Sequence, residues 1–160
     1  MPSATSPAQH GEVTRARFDD LSPGRLYDLL RLRSAVFVVE QECAFLDLDG
    51  RDREPGAEHL WIDDADGVAG CLRLLDEGDG EWSIGRVVTR PDVRCRGVGA
   101  ALVRAGLDRL GELGCRRVRL GAQAHLAGWY AAFGFSIAGP EYLEDDIAHV
   151  PMALHLASAQ

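Results

Sequence analysis

The sequence predicts an α+β fold, with a mixed, mostly antiparallel central sheet flanked by helices. Three observations predict it. Apolar runs at 59–63, 68–75 and 82–89 are joined by the acidic glycine turns DDADG and DEGDG, a pattern of successive antiparallel strands. From residue 82 onward the order becomes strand, helix, strand, helix, which makes the sheet mixed. No repeat and no second-domain linker interrupts the chain, and 160 residues suit one core.

Each element has a local reason. Residues 1–11, MPSATSPAQHG, are small, polar and proline-bearing, and are expected to form a disordered tail before a single domain at 12–157. A strand is expected near Glu12 to Phe18. Ser22 and Pro23 read as the N-cap and first residue of a helix, with Leu26, Leu29, Leu30, Val36 and Phe37 at helical spacing. Residues 41–58 show no periodicity, and a loop of that length is unusual unless it serves a function. Pro91 ends the strand that begins at Trp82. A helix from about Gly97 carries Leu102, Val103, Leu107, Leu110 and Leu113, and Gly114 suits its C-terminal cap. Arg117–Leu120 reads as a short strand, 123–133 as a second short helix closed by Gly134, and 135–138 and 150–156 as final strands around an acidic loop.

Bulk composition narrows the function. Hydrophobic residues at 46% and charged residues at 26% describe an ordinary globular chain. A net charge of −8 argues against nucleic acid as a partner, because nucleic-acid binders carry a basic footprint. No secretory segment and no membrane-length apolar run is present, so neither export nor a membrane partner is expected. The four cysteines, at 43, 71, 95 and 115, have no Cys-x-x-Cys spacing, so no metal site is predicted and a cytoplasmic location is expected.

Chemistry concentrates in WSIGRVVTRPDVRCRGVGAAL, residues 82–102. A strand leads through a turn rich in arginine and glycine into a helix. Gly97 and Gly99 let backbone N–H groups approach a ligand. The helix N-terminus offers unpaired donors, and Arg94 and Arg96 add charge, so a phosphate or pyrophosphate is expected there. A dinucleotide fingerprint is incomplete, since Leu102 stands where a third small residue is required and no acidic residue follows near Val118–Ala122. A Walker loop is excluded because all seventeen basic residues are arginine.

The Arg-x-x-Gly-x-Gly pattern after a strand resembles the coenzyme A pyrophosphate loop of the GNAT superfamily of N-acetyltransferases. QAHLAGWYAAFGF at 123–135 resembles that superfamily's second hallmark, an amide residue before a short aromatic helix. VFVVEQ at 36–41, IGRVV at 84–88, LGAQAH at 120–125 and the acidic-His-Met segment at 144–152 resemble its ElaA-like branch, so that the likeness spans about residues 18–154.

The resemblance implies a GNAT-like sheet in which two parallel strands splay to admit acetyl-CoA as co-substrate. Those strands would end at Val88 and near Gly121. Val87, Val88 and Thr89 would offer backbone groups to it, with the Val88 N–H polarising the thioester carbonyl. Arg94, Arg96, Gly97, Val98, Gly99 and Ala100 would hold the pyrophosphate. Gln123, where the family often has asparagine, would meet the pantetheine. Tyr130 would protonate the departing thiolate. The implied activity is transfer of acetyl to a primary amine, on a small molecule or a peptide, by direct attack in a ternary complex. A non-catalytic coenzyme A sensor or scaffold is the alternative, and a homodimer is left open.

The acceptor side is less defined. Glu40 and His149 are the expected groups for amine deprotonation, with Asp49 and His59 as further candidates. Glu40 follows an apolar helical run and is expected to face inward. Arg86, on the alternation of Ile84 and Val88, is expected to pair with Glu40 or to receive a substrate carboxylate. Asp47, Asp49 and Asp52, with Glu141, Glu144, Asp145, Asp146 and His149, are expected to form a pocket that attracts a cationic amine. His125 reads as a helix-start residue.

Overall fold

The computed structural model describes residues 10–157, so most of the expected tail at 1–11 lies outside the described residues. Strands β1 (Val13–Arg17), β2 (Glu58–Asp64), β3 (Gly67–Gly78), β4 (Glu81–Thr89), β5 (Arg117–Gln123), β6 (Ser136–Ile137), β7 (Tyr142–Glu144) and β8 (Ile147–His155) form one sheet. Its order is β1-β2-β3-β4-β5-β8-β6, with β7 also paired to β8. Every pairing is antiparallel except β4 with β5.

Helix α1 (Pro23–Arg33) starts as its sequence predicts: the Ser22 hydroxyl accepts from the Arg25 N–H at 3.1 Å, and Pro23 is its first residue. The chain then widens into a π-helical stretch, Ser34–Glu40, where the Gln41 N–H reaches back five residues to the Val36 carbonyl. Helix α2 (Val98–Glu112) buries Val98, Leu102, Val103, Gly106 and Leu110, one stripe at helical spacing. Complete burial of each large side chain contributes roughly 1.5–3 kcal/mol. Gly114, at φ 75°, closes α2 in a Schellman turn: its N–H bonds to Gly111 O, and that of Cys115 to Leu110 O.

Alternation along the strands makes two cores. Leu60, Ile62, Leu72, Leu74 and Ile84 face α2, while Trp61, Cys71 and Val88 face α1 with Leu29, Leu32 and Val36. Some boundaries differ from expectation. β5 continues to Gln123, and the following α3 (Ala127–Ala131) is only five residues long, because its backbone stays extended until Gln123. The acidic loop before the last strand contains β7, whose three residues are too few to give a periodic signal. Among the described residues, no helix is long and apolar enough to cross a membrane.

Candidate active site

The parallel ladder between β4 and β5 is short. It pairs Glu81 with Arg117, Trp82 with Val118 and Ser83 with Arg119, and then stops. Both strands continue, β4 to Thr89 and β5 to Gln123. Between the parted halves lies a cleft of about 700 Å³. Backbone groups along these inner edges have lost their strand partner, so the cleft offers donors and acceptors to a ligand.

A bulge shapes its floor. Gly85 pairs with Arg73 and Val88 with Cys71, so Arg86 and Val87 together oppose Leu72. Arg86 takes a left-handed φ of 53°, a conformation costing an L-residue on the order of 1 kcal/mol. The extra residue breaks the expected alternation: Ile84 and Val87 pack toward α2, but Val88 packs toward α1.

The glycine turn stands at one end. Gly97, at φ 84°, is the N-cap of α2, and the first α2 amides point outward without a side-chain cap. Arg94, Gly97, Val98, Gly99 and Ala100 line the cleft with Val87, Val88 and Thr89 of β4; Arg96 does not. A Cβ on Gly99 would touch the Trp129 ring at 3.5 Å and Thr89 at 3.6 Å, so that a methyl fits there and a branched side chain would fill the space above the turn.

Tyr130 of α3 is 7% exposed and lines the same cleft. Its ring sits edge-on to Trp129 and Phe135. Burial pushes its hydroxyl pKa up to about 12, so it remains a protonated phenol, and among the described residues it has no hydrogen-bond partner. Gln123 lines the cleft at the end of β5, its amide donating to Gln41 at 3.3 Å. His125 lines it as well.

The far wall brings together Cys43, Phe45, Tyr142, Glu144, Asp145 and His149. The His149 Nδ1 is 2.8 Å from the Ile147 carbonyl. A carbonyl only accepts, so Nδ1 carries the proton and neutral His149 presents a bare Nε2. That nitrogen is 3.8 Å from Glu144. The imidazole is stacked on Tyr142, whose hydroxyl rests against Gly121 where any side chain would collide. The sequence reading assigned no role to Tyr142, Phe45 or Trp129; the first two are aromatics in segments without periodicity, and Trp129 is part of the α3 segment. Cys43 donates to the Asp145 carbonyl, and burial raises its thiol pKa, so it is no ready nucleophile.

Three expectations on the acceptor side are corrected. Glu40 does not face inward. It is 40% exposed and grips Arg94 with both carboxylate oxygens, at 2.5 and 2.6 Å, because the π-helical stretch turns it to the rim. That hydrogen bonding holds its carboxyl below the usual range, which weakens it as a base. Arg86 therefore does not pair with Glu40.

Asp47, Asp49 and Asp52 do not line the cleft. They point under it and are consumed by three arginines. Arg33, itself buried, binds Asp47 at 2.9 Å and Asp52 at 2.7 Å. Arg73 binds Asp49 at 2.9 Å and Asp52 at 3.1 Å. Arg86 Nε lies 2.8 Å from Asp47, while its Nη2 donates to the Asp47 carbonyl and to Asp49. Three positive and three negative charges offset one another, so these aspartates are not free to receive a cation. Removing one member of such a buried set typically costs about 3–5 kcal/mol. His59 is buried beside it, with Nε2 3.2 Å from the Asp52 carbonyl, and is remote from the cleft wall. Among the described residues, no group of His, Cys, Asp and Glu is arranged to hold a metal ion.

Comparison with known proteins places the same region in context. The model of the acetyltransferase (GNAT) family matches residues 26–135. The UPF0039 protein Rv2851c of Mycobacterium tuberculosis is 44% identical over 137 residues, 83% of this chain and 86% of its own. Protein ElaA of Escherichia coli is 38% identical over 143 residues, 88% and 94% of the two chains. The crystal structure of ElaA superposes with a TM-score of 0.85 at 36% identity, covering 90% of this chain and 99% of that one. An acyl-CoA N-acyltransferase from Pseudomonas aeruginosa gives 0.84 at 38% identity, covering 89% and 98%.

Proposed function

The chain belongs to the GNAT acetyltransferase family, and on that premise we propose that it moves acetyl from acetyl-CoA to a primary amine by direct attack in a ternary complex. One observation carries the reading. β4 and β5 part beyond Ser83 and Arg119, and the gap they open runs between the glycine turn and the Tyr130 phenol.

Each residue then has a task. The amides at Gly97–Ala100, with Arg94, bind the pyrophosphate at the N-terminus of α2. Parted backbone of Val87–Thr89, and Gln123 opposite, bind the pantetheine amides. A backbone N–H on the parted edge of β4 stabilises the oxyanion as the carbonyl is attacked; Val88, paired with Cys71 in register with the Arg90–Ala69 bond, turns its own N–H toward β3. His149, through its bare Nε2, takes the proton from the acceptor ammonium, directly or through a water. The amine nitrogen then attacks the thioester carbon; the C–N bond forms and the C–S bond breaks. Tyr130 donates its proton to the leaving thiolate and regains one as the new amide nitrogen sheds its remaining excess proton, directly or through water. A phenol that stays protonated throughout the neutral range and has no competing partner is suited to that donation.

Calorimetric titration with acetyl-CoA, with NADH as comparator, joined to thiol release across a panel of amines, tests the proposal. Binding of acetyl-CoA with amine-dependent release is expected. Binding without release from any amine would leave a coenzyme A sensor or scaffold, and preference for NADH would remove the acyl-transfer reading.

A further inference from the structure

Arg86 stands where the cleft floor meets the acceptor wall, and it is fixed there from three sides. Its backbone is locked in the left-handed bulge of β4. Its guanidinium lies over the Phe45 ring, 5.5 Å from the centroid. Its Nη2 donates to the Asp47 carbonyl and to Asp49, its Nε lies 2.8 Å from Asp47 without a well-aimed bond, and both aspartates are themselves held by Arg33 and Arg73. This leaves Nη1 without a hydrogen-bond partner among the described residues, on a side chain that is 22% exposed and lines the cleft.

A structural ion pair does not need this arrangement. Asp47 is already satisfied on its other oxygen by Arg33, and its Oδ1, close to Arg86 Nε, is not met by a well-aimed N–H. The set leaves one end of a planar, permanently charged fork unengaged on a side chain that lines the cleft. Arg86 is two residues from Val88, and His149 is on the facing wall. An acceptor whose amine is near His149 and the thioester can therefore reach Arg86 with a second group.

Resting on the acetyl-transfer reading above, we propose that Arg86 receives a carboxylate on the acceptor, and that the substrate class is amines bearing a carboxylate, as in amino acids. The anionic wall residues Glu144 and Asp145 face the ammonium, and Arg86 faces the acid. The cleft thus discriminates by charge at both ends of a short zwitterion. This replaces the simple cation trap expected from the sequence, whose aspartates are spent on arginines.

The test compares kcat/KM for α-amino acids with that for their α-carboxamides, in the intact protein with acetyl-CoA saturating. For the best side chain, the acid is expected to exceed its amide by about tenfold or more, since a charge-assisted bond is lost without it. Arg86→Gln should bring that ratio toward one by raising the acceptor KM, with acetyl-CoA affinity unchanged by calorimetry. Arg86→Lys keeps the charge toward Asp47 and Asp49 but not the fork, and serves if the glutamine variant does not fold; its ratio should also fall. The wild-type ratio needs no variant at all. Amides equal to or better than acids, or no release with any acid, overturns the assignment. Loss of acetyl-CoA binding would instead mark failure of the acyl-transfer reading itself.

Discussion

Glu40 and Arg94 hold each other by two hydrogen bonds at the rim of the cleft, at 2.5 and 2.6 Å, although 54 residues separate them. The arginine assigned to the pyrophosphate is therefore already engaged by a carboxylate. A ligand phosphate must displace Glu40 or share the guanidinium with it. Glu40→Gln should tighten acetyl-CoA binding a few-fold, and Arg94→Ala should weaken it on the order of tenfold. Calorimetry at fixed ionic strength checks both, because an ion pair this open to water is sensitive to salt. Weaker binding in the glutamine variant would mean that Glu40 orients Arg94 and does not compete for it.

Gly99→Val should weaken acetyl-CoA binding by about tenfold or more, as lost charge-assisted bonds imply. A methyl at this position meets Trp129 and Thr89 only at ordinary contact distance, so Gly99→Ala should cost much less. Unchanged affinity in a folded valine variant would move the pyrophosphate elsewhere.

Tyr130→Phe should lower kcat by about 10² to 10⁴ and leave acetyl-CoA affinity alone. Its ring packing against Trp129 and Phe135 survives the change. With the phenol pKa near 12, wild-type turnover should not decline below about pH 10 through ionisation of this group. A fully active phenylalanine variant would reduce the residue to core packing.

His149→Gln should lower kcat/KM by about 10² to 10⁴, whereas Glu40→Gln should not lower it. The carboxyl of Glu40 is held low by Arg94, while His149 offers Nε2 to the cleft. Unchanged kcat/KM in a folded His149→Gln variant would assign deprotonation to another group.

Stability should fall with acid in two stages. Burial lowers the His59 pKa from its ordinary 6.5, so the unfolded chain binds the extra proton first as pH drops. Its contribution is complete above about pH 6.5 and declines below it. Asp49 has its pKa lowered from 3.8 to about 2 despite the desolvation that opposes this, chiefly by hydrogen bonding to Arg73. Glu77, also near 2, is held chiefly by Arg51. Their contributions are complete above their unfolded values and disappear as pH falls toward 2. Thermal melts of wild type and His59→Gln from pH 8 to 3 separate the stages: the variant should lose the upper decline and keep the lower.

Local chemistry was legible in the sequence, and long-range pairing was not. Ser22-Pro23 announced α1, Gly114 announced the end of α2, and the glycine turn after the strand announced the start of α2, since each acts through neighbours a few residues away. The partners of Asp47, Asp49 and Asp52 come from Arg33, Arg73 and Arg86, on other elements, so these carboxylates read as free acids. One signal was available: Arg33 and Arg73 sit among apolar residues, and a buried arginine requires a carboxylate. The bulge was also hidden, because IGRVV is an ordinary strand pattern and only pairing with β3 reveals a surplus residue.

That surplus residue gives β4 a change of parity. Before Arg86, even-numbered Ile84 serves the α2 core; after it, even-numbered Val88 serves the α1 core. A point substitution can alter what one position offers, but it cannot restore the count. Deleting one residue at 86–87 would, and would turn Val88 and Thr89 over together, exchanging the side chains given to each core and the amides given to the cleft. The region is therefore far more exposed to insertion and deletion than to replacement, and the length of this strand is as much a determinant of the site as any side chain on it.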